Sequence, residues 1–99
     1  MTPERMQQFL ENYPKAVIHE SDGGKIAVAH VHDRTYYACM TTHKFSKATY
    51  SAWQRLTTDF KGGTMFTDTQ DERIKRLLAK LGFTQCGTHG IDTVWALVK

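Results

Sequence analysis

Apolar positions along this chain switch between a helical period and strict alternation, and the switches mark out its elements. The strongest pattern is at Ile74, Leu77, Leu78 and Leu81. Their i, i+3, i+4, i+7 spacing puts all four on one helix face and leaves Arg73, Lys75, Arg76 and Lys80 largely off it. Thr69 is the expected N-cap, with Glu72 three residues on completing a capping box in which each side chain takes up an otherwise orphaned amide. Gly82 is the expected stop, because glycine enters the left-handed region without a Cβ penalty, and Phe83 can then fold back onto the last apolar turn. Asp71 and Glu72 near the positive end and Lys80 near the negative end complement the helix dipole.

From the start of the chain, Thr2 reads as an N-cap and Pro3 as the first helical residue, with Met6, Phe9, Leu10 and Tyr13 at helical spacing until Pro14 ends the helix. Ala16 to Glu20 reads as a strand, Ser21-Asp22-Gly23-Gly24 as a tight turn, and Lys25 to His32 as the hairpin partner. In that partner Ile26, Val28, His30 and His32 alternate with Ala27, Ala29 and Val31. After a turn at Asp33-Arg34, Thr35 to Thr41 makes a third strand, so residues 16 to 41 form an antiparallel meander. Ser46 caps a second helix through Phe60, with Phe45 and Tyr50 at hydrophobic-staple spacing and Trp53, Leu56 and Phe60 along its apolar face. Gly62-Gly63 ends that helix and Thr64 to Thr67 is a short strand. The last strands are Thr84 to Gly87 and Thr93 to Val98, with Thr88 to Asp92 as the loop between them. The order is α-β-β-β-α-β-α-β-β, an α/β (α+β) class chain, and without repeats or linkers residues 1 to 99 read as a single domain.

Composition narrows the function classes. With 40% hydrophobic and 11% aromatic residues the chain can build a core. Cys39 and Cys86 match no CxxC spacing and read as reduced thiols. No apolar run is long enough to cross a membrane, and Met1-Thr2-Pro3-Glu4-Arg5 lacks the apolar stretch of a signal peptide, so a soluble, cytoplasmic protein with no membrane partner is expected. The net charge of +3 is a mild bias. Lys44, Lys47, Arg55, Lys61, Arg73, Lys75, Arg76 and Lys80 could form a basic stripe, but their acidic neighbours argue for a solvated face and against nucleic acid. His30 and His32 have a spacing that zinc can use, yet no third ligand is tied to them, so no metal site is expected. A mid-strand cysteine such as Cys39 is ordinarily buried and inert.

The element order from about Thr35 to Lys99, together with the helix ending Lys80-Leu81-Gly82-Phe83, resembles the GNAT acyltransferase superfamily. The resemblance implies a GNAT-like mixed sheet with helices on both faces, with residues 1 to 34 as a shortened first part. It also implies an anion site for the coenzyme A pyrophosphate on the amides at a helix N-terminus, where the donors are unpaired and the dipole is positive. The family signature there is Gln or Arg, two residues, Gly, one residue, then Gly or Ala. His43-Lys44-Phe45-Ser46-Lys47-Ala48 stands at the matching place: Ala48 fits, His43 replaces Gln or Arg, and Ser46 replaces the glycine. Lys44 and Lys47 add charge for a phosphate. Asp71 stands where the family commonly has Asn, and Leu78 where many relatives carry the tyrosine that protonates the departing thiolate. Tyr36 and Tyr37 are the candidate replacements, of which strand alternation lets only one face the cleft. The function so implied is acetyl-CoA binding and acetyl transfer to an amine. The alternative is a catalytically inactive GNAT-like protein-interaction module whose cleft is closed by side chains and whose exposed strand edge or Trp95 strand contacts a partner. The short chain and altered loop also resemble compact GNAT-like proteins carried by phages.

Overall fold

In the computed structural model, which describes residues 3–22, 24–41 and 45–99, the elements follow the expected order. They are α1 (Pro3–Asn12), β1 (Val17–Ser21), β2 (Gly24–His32), β3 (Thr35–Thr41), α2 (Lys47–Asp59), β4 (Thr64–Thr69), α3 (Glu72–Lys80), β5 (Thr84–His89) and β6 (Asp92–Val98). Thr2, the expected cap of the first helix, Gly23 of the first turn, and His43 and Lys44 of the expected phosphate loop lie outside the described residues. The strands form one mixed sheet in the order β1-β2-β3-β4-β6-β5. Every pair is antiparallel except β3 with β4.

Both faces of the sheet are covered at its centre, which is why Ile26 to Ala29 of β2 and Ala38 to Met40 of β3 are small or apolar without a break. On one face Ile26, Ala38, Met40 and Met65 pack with Trp53 and Leu56 of α2, Ile74, Leu77 and Leu78 of α3, and Phe83. On the other, Ala27, Ala29 and Cys39 lie under Met6 and Phe9 of α1, the alanines giving the helix room to approach. Buried Trp53 is satisfied by donating its indole N–H to the Met40 sulfur at 2.8 Å. α2 starts at Ser46 as expected, and the Thr49 hydroxyl accepts from the Ser46 amide at 3.1 Å. Phe45 and Tyr50, the expected staple, both pack against the α2–α3 core.

β1 is shifted to Val17–Ser21 and β2 starts at Gly24, so Ser21 and Gly24 are paired strand residues rather than turn; α1 ends at Asn12 and α2 at Asp59. Two further differences come from strand pairing near the second half's helices and hairpin. Asp68 and Thr69 pair with Val94 and Thr93, so β4 runs two residues past the expected end at Thr67 and Thr69 is a strand residue. The N-cap of α3 is therefore Asp71, whose Oδ1 accepts from the amides of Arg73 at 2.8 Å and Ile74 at 3.4 Å. The Thr69 hydroxyl accepts from the Asp71 amide instead, and Glu72 pairs with Lys75 rather than reaching back. Likewise Thr88, His89 and Asp92 belong to the last hairpin, with His89 opposite Asp92, leaving Gly90 and Ile91 as a two-residue turn in place of the expected loop.

The C-terminus of α3 is as expected. Phe83 N–H donates to the Leu78 carbonyl at 3.0 Å and Gly82 N–H to that of Ala79 at 3.2 Å, with Gly82 at φ +98°. This pair of hydrogen bonds closes the last turn and sets Phe83 into the core. Gly63 is held more tightly, at φ +111° with reciprocal backbone bonds to Lys99, and a Cβ there would collide with the Arg34 carbonyl. Among the described residues no helix is long and apolar enough to cross a membrane, and Cys39 and Cys86 are both free thiols, the first buried and the second exposed.

Leu77 is 3% exposed in the centre of the α3 face, so Leu77→Ala should cost ~2–5 kcal/mol in chemical denaturation. Gly82→Ala should cost only about 1 kcal/mol, since its Cβ would meet nothing closer than a Leu97 methyl at 3.5 Å. Gly63→Ala should exceed Gly82→Ala, because backbone rather than a mobile side chain blocks it; the reverse ranking would contradict the close approach at Arg34.

Candidate functional site

The sheet forks at its one parallel pair. Rungs run from Thr35 opposite Thr64 to Ala38 opposite Thr67. Beyond them β3 continues to Thr41 paired with β2, and β4 continues to Thr69 paired with β6. At the point of divergence the buried Thr67 hydroxyl donates to the Ala38 carbonyl at 2.9 Å. The carboxyl ends of adjacent parallel strands are where open α/β sheets offer a crevice to ligands.

On the α2–α3 face, next to the start of α2, lies a groove of about 720 Å³. Phe45, Tyr50 and Leu77 give it apolar walls, and Lys47, Arg73, Arg76 and Lys80 bring four cations to it. α2 has no acidic residue in its first turn, so no carboxylate of its own neutralises the positive end of its dipole. Arg73 is held in place twice, over the Phe45 ring at 5.3 Å and against Asp71 at 3.1 Å. The Arg73 side-chain hydrogen bond, helped by the amides of Arg73 and Ile74, keeps the Asp71 carboxyl below its ordinary range. Asp71 is thus engaged in capping α3, while Arg73 is the residue that lines the groove. Four of the eight basic residues weighed as a nucleic-acid stripe converge here. The groove is suited to a ligand with an apolar body and phosphate groups.

On the opposite face, beside α1, two carboxylates flank one guanidinium. Arg5 Nη1 lies 2.7 Å from Asp92 Oδ2 and Nη2 lies 3.1 Å from Asp68 Oδ2, with the carboxylate side chains only 5% and 4% exposed. Tyr37 is hydrogen-bonded to Asp68, and its phenol is raised well above its ordinary value, first by burial and then by that bond. His89 Nδ1 approaches Asp68 to 3.9 Å. Burial pushes the Asp92 carboxyl up, but hydrogen bonds with Arg5 and Asp68 outweigh it and the net shift is downward. Burial raises the Cys39 thiol to about 11, which keeps it protonated and unreactive at neutral pH. Arg5, Tyr37, Cys39, Asp68 and His89 border a recess of about 300 Å³.

The structure therefore separates the residues singled out in the sequence. Phe45, Ser46 and Lys47 line the groove, and Ala48 sits with them in the first turn of α2. Tyr37 points to the acidic recess on the other face. Tyr36 packs edge-on against Phe60 at 5.4 Å, in the core and away from the fork. Leu78 is fully buried and brings no hydroxyl to the fork. Arg5, Asp68, Asp92 and His89 were not anticipated; the available signal was Asp68 between two threonines that belong to the same strand. His30 and His32 are separated by a register shift in β2, and among the described residues no group of three metal-ligating side chains comes together.

Comparison with protein-family models, with curated proteins and with solved structures gave no match.

Arg5→Leu should destabilise the protein by ~1–3 kcal/mol at neutral pH, since it strands two buried carboxylates, with the loss tempered because the Arg5 side chain is 41% exposed. Asp92 titrates lower folded than unfolded, so its contribution is present above the ordinary ~3.9 and is lost as pH falls through the folded value. Without Arg5 the Asp92 carboxyl loses the bond that holds it low, so the gap between wild type and variant should narrow between pH 7 and about pH 3, below the ordinary carboxylate value. Denaturation midpoints at both pH values test this; a constant gap would mean that Arg5 acts through packing alone.

Proposed function

We propose that this chain is a small GNAT-like N-acyltransferase that binds acetyl-CoA in the α2–α3 groove and passes the acetyl group to an amine at the fork. The observation that carries the reading is the placement of opposite charge on either side of one fork: a cation-lined apolar groove at a helix N-terminus on one face, and buried carboxylates on the other. The antiparallel meander, the single parallel pair, the crossover helix and the Gly82-Phe83 helix ending add support at the level of topology.

In this reading Lys47, Arg73, Arg76, Lys80 and the first amides of α2 hold the phosphates, and the groove walls take the apolar part of the cofactor. The acceptor arrives as an ammonium drawn to Asp68 and Asp92, whose two charges exceed the one on Arg5. Asp68 takes a proton from it, the neutral nitrogen attacks the thioester carbonyl, the C–N bond forms and the C–S bond breaks. The nitrogen's second proton is released to water and the thiolate is protonated from water in turn, because Leu78 stands where GNAT acyltransferases commonly hold a tyrosine. Losing a positioned acid costs on the order of 10²–10⁴-fold, so slow turnover is expected.

One observation favours the second reading, a catalytically inactive interaction module. Met40, at the β3 side of the fork, is capped by the buried Trp53 indole, which fills part of the space on the α2 face.

Titration calorimetry with acetyl-CoA at low salt, wild type beside Lys47→Glu, separates the two. Weak binding is expected for wild type, falling as added salt shortens the Debye length below ~10 Å. Lys47→Glu should abolish it without unfolding, since an acid suits the first turn of a helix. No heat from wild type at millimolar ligand would end the enzyme reading.

A further inference from the structure

The recess beside α1 has walls of a different kind from those of the α2–α3 groove. Arg5, Gln8, Phe9 and Asn12 follow one another at i, i+3, i+4 and i+7, so a single face of α1 is turned toward it. Tyr13, whose amide donates to the Phe9 carbonyl at 2.9 Å, carries that face one step past the helix end. The Phe9 ring stands between two others, 5.0 Å from Tyr13 and 6.0 Å from Tyr37. The sheet adds Asp68, with its side chain 4% exposed. A carboxylate offers about four acceptor positions, more than the Arg5 and Tyr37 bonds take up. Asp68 and Asp92 together carry one more charge than Arg5 offsets. A buried carboxylate beside aromatic rings favours an organic ammonium, whose nitrogen meets the oxygen while its body covers the rings.

We infer that this recess binds a small organic monoammonium, with its nitrogen at Asp68 and its apolar or aromatic body on Phe9, Tyr13 and Tyr37, and that such a monoamine is the acceptor. The inference rests on the acyl-transfer reading for the fate of the nitrogen, but not for the binding itself. Size is set by the volume, about 300 Å³, which is at the lower limit of small-molecule sites. Charge is set by Arg5. Its Nη2 lies 3.1 Å from the Asp68 oxygen, so a second ammonium on a short chain is placed against the guanidinium. Gln8 and Asn12 bring uncharged amides to the recess and give a second cation no counter-charge. Position is set by the strand, since Asp68 directly follows the last β3–β4 rung at Thr67 and so stands at the fork.

The test is an NMR titration, followed at the backbone amides, with benzylamine and separately with spermidine, on wild type, Gln8→Arg and Tyr13→Ala. It is run at about pH 8, where an ordinary imidazole is neutral and a primary amine is charged, and acetyl-CoA calorimetry is done on the same proteins. Gln8 is exposed and arginine is a good helix former, so Gln8→Arg should fold while adding a cation to the recess. The expected result is saturable benzylamine shifts at Tyr37, Asp68 and His89. Affinity should be weaker by about tenfold in Gln8→Arg and by several-fold in Tyr13→Ala, with spermidine weaker than benzylamine in wild type. Absence of saturable shifts at these residues, or equal benzylamine affinity in wild type and Gln8→Arg, would overturn the inference. So would spermidine binding more tightly than benzylamine, which would make the recess a polycation patch. Benzylamine binding that is weakened in Gln8→Arg, in a protein that binds no acetyl-CoA, would uphold the monoamine recess while the acyl-transfer reading falls.

Discussion

Everything in this domain hangs on the four rungs between β3 and β4. A parallel pair cannot be closed by a tight turn; it needs a crossover, and α2 with the chain around it supplies that crossover. The pairing joins two units that are each local in sequence, the β1–β2–β3 meander and the β4–α3–β5–β6 unit, and so it carries the long-range entropy of closing the fold. One core cluster lies against this seam. Met65 of β4 is buried with Trp53 of the crossover, which meets Phe83 edge-on at 6.0 Å, while Gly63 and Lys99 bond reciprocally at its edge. Because the rungs stop at Ala38 and Thr67, the same pairing that unites the fold also opens the crevice.

The net charge of +3 conceals a strong internal polarity. Cations gather at the α2–α3 groove, and carboxylates gather on the α1 face, both buried at Asp68 and Asp92 and exposed beside the β1–β2 hairpin. The two sets are kept apart by the sheet, so they do not neutralise one another. The buried carboxylates would be costly alone, and Arg5 is what makes them tolerable. Its own helix is held by Met6 and Phe9, so the packing of α1 and the ion cluster depend on one another.

What was legible in the sequence was local, and what was missed was tertiary. Ile74, Leu77 and Leu78 read correctly because helical spacing alone decides which face is buried, and the Gly82-Phe83 ending read correctly because its bonds lie within one turn. Thr69 and Asp71 were equally good caps on paper; the pairing of Thr69 with Thr93 decided between them. The same pairing hid the acidic cluster, because aspartate is depleted in strands: Asp92 was read as loop, and Asp68 fell between the expected end of β4 and the expected cap of α3. The basic residues looked balanced by neighbouring acids, yet Asp71 is engaged in capping α3 and Glu72 by Lys75, which leaves Arg76 and Lys80 to the groove without them.

In the proposed reading the start of α2 is a phosphate site in which Ser46 stands where the resemblance expects glycine. Ser46 sits at φ −154°, ψ 179°, extended backbone that any residue adopts, so the exchange of glycine for serine forces no strain on the chain. What the exchange adds is a Cβ and a hydroxyl at the mouth of the helix. The Ser46 amide is taken by the Thr49 hydroxyl and the Thr49 amide by the Ser46 carbonyl at 3.1 Å, while the amides of Lys47 and Ala48 between them lack intrahelical acceptors by helix geometry. Any anion held here is therefore held one step further into α2 than a glycine loop would allow, and it meets Lys47 and the α3 arginines before it meets backbone. In such a site charge does more of the work than close main-chain approach, and so salt concentration, rather than ligand shape, governs how strongly it binds.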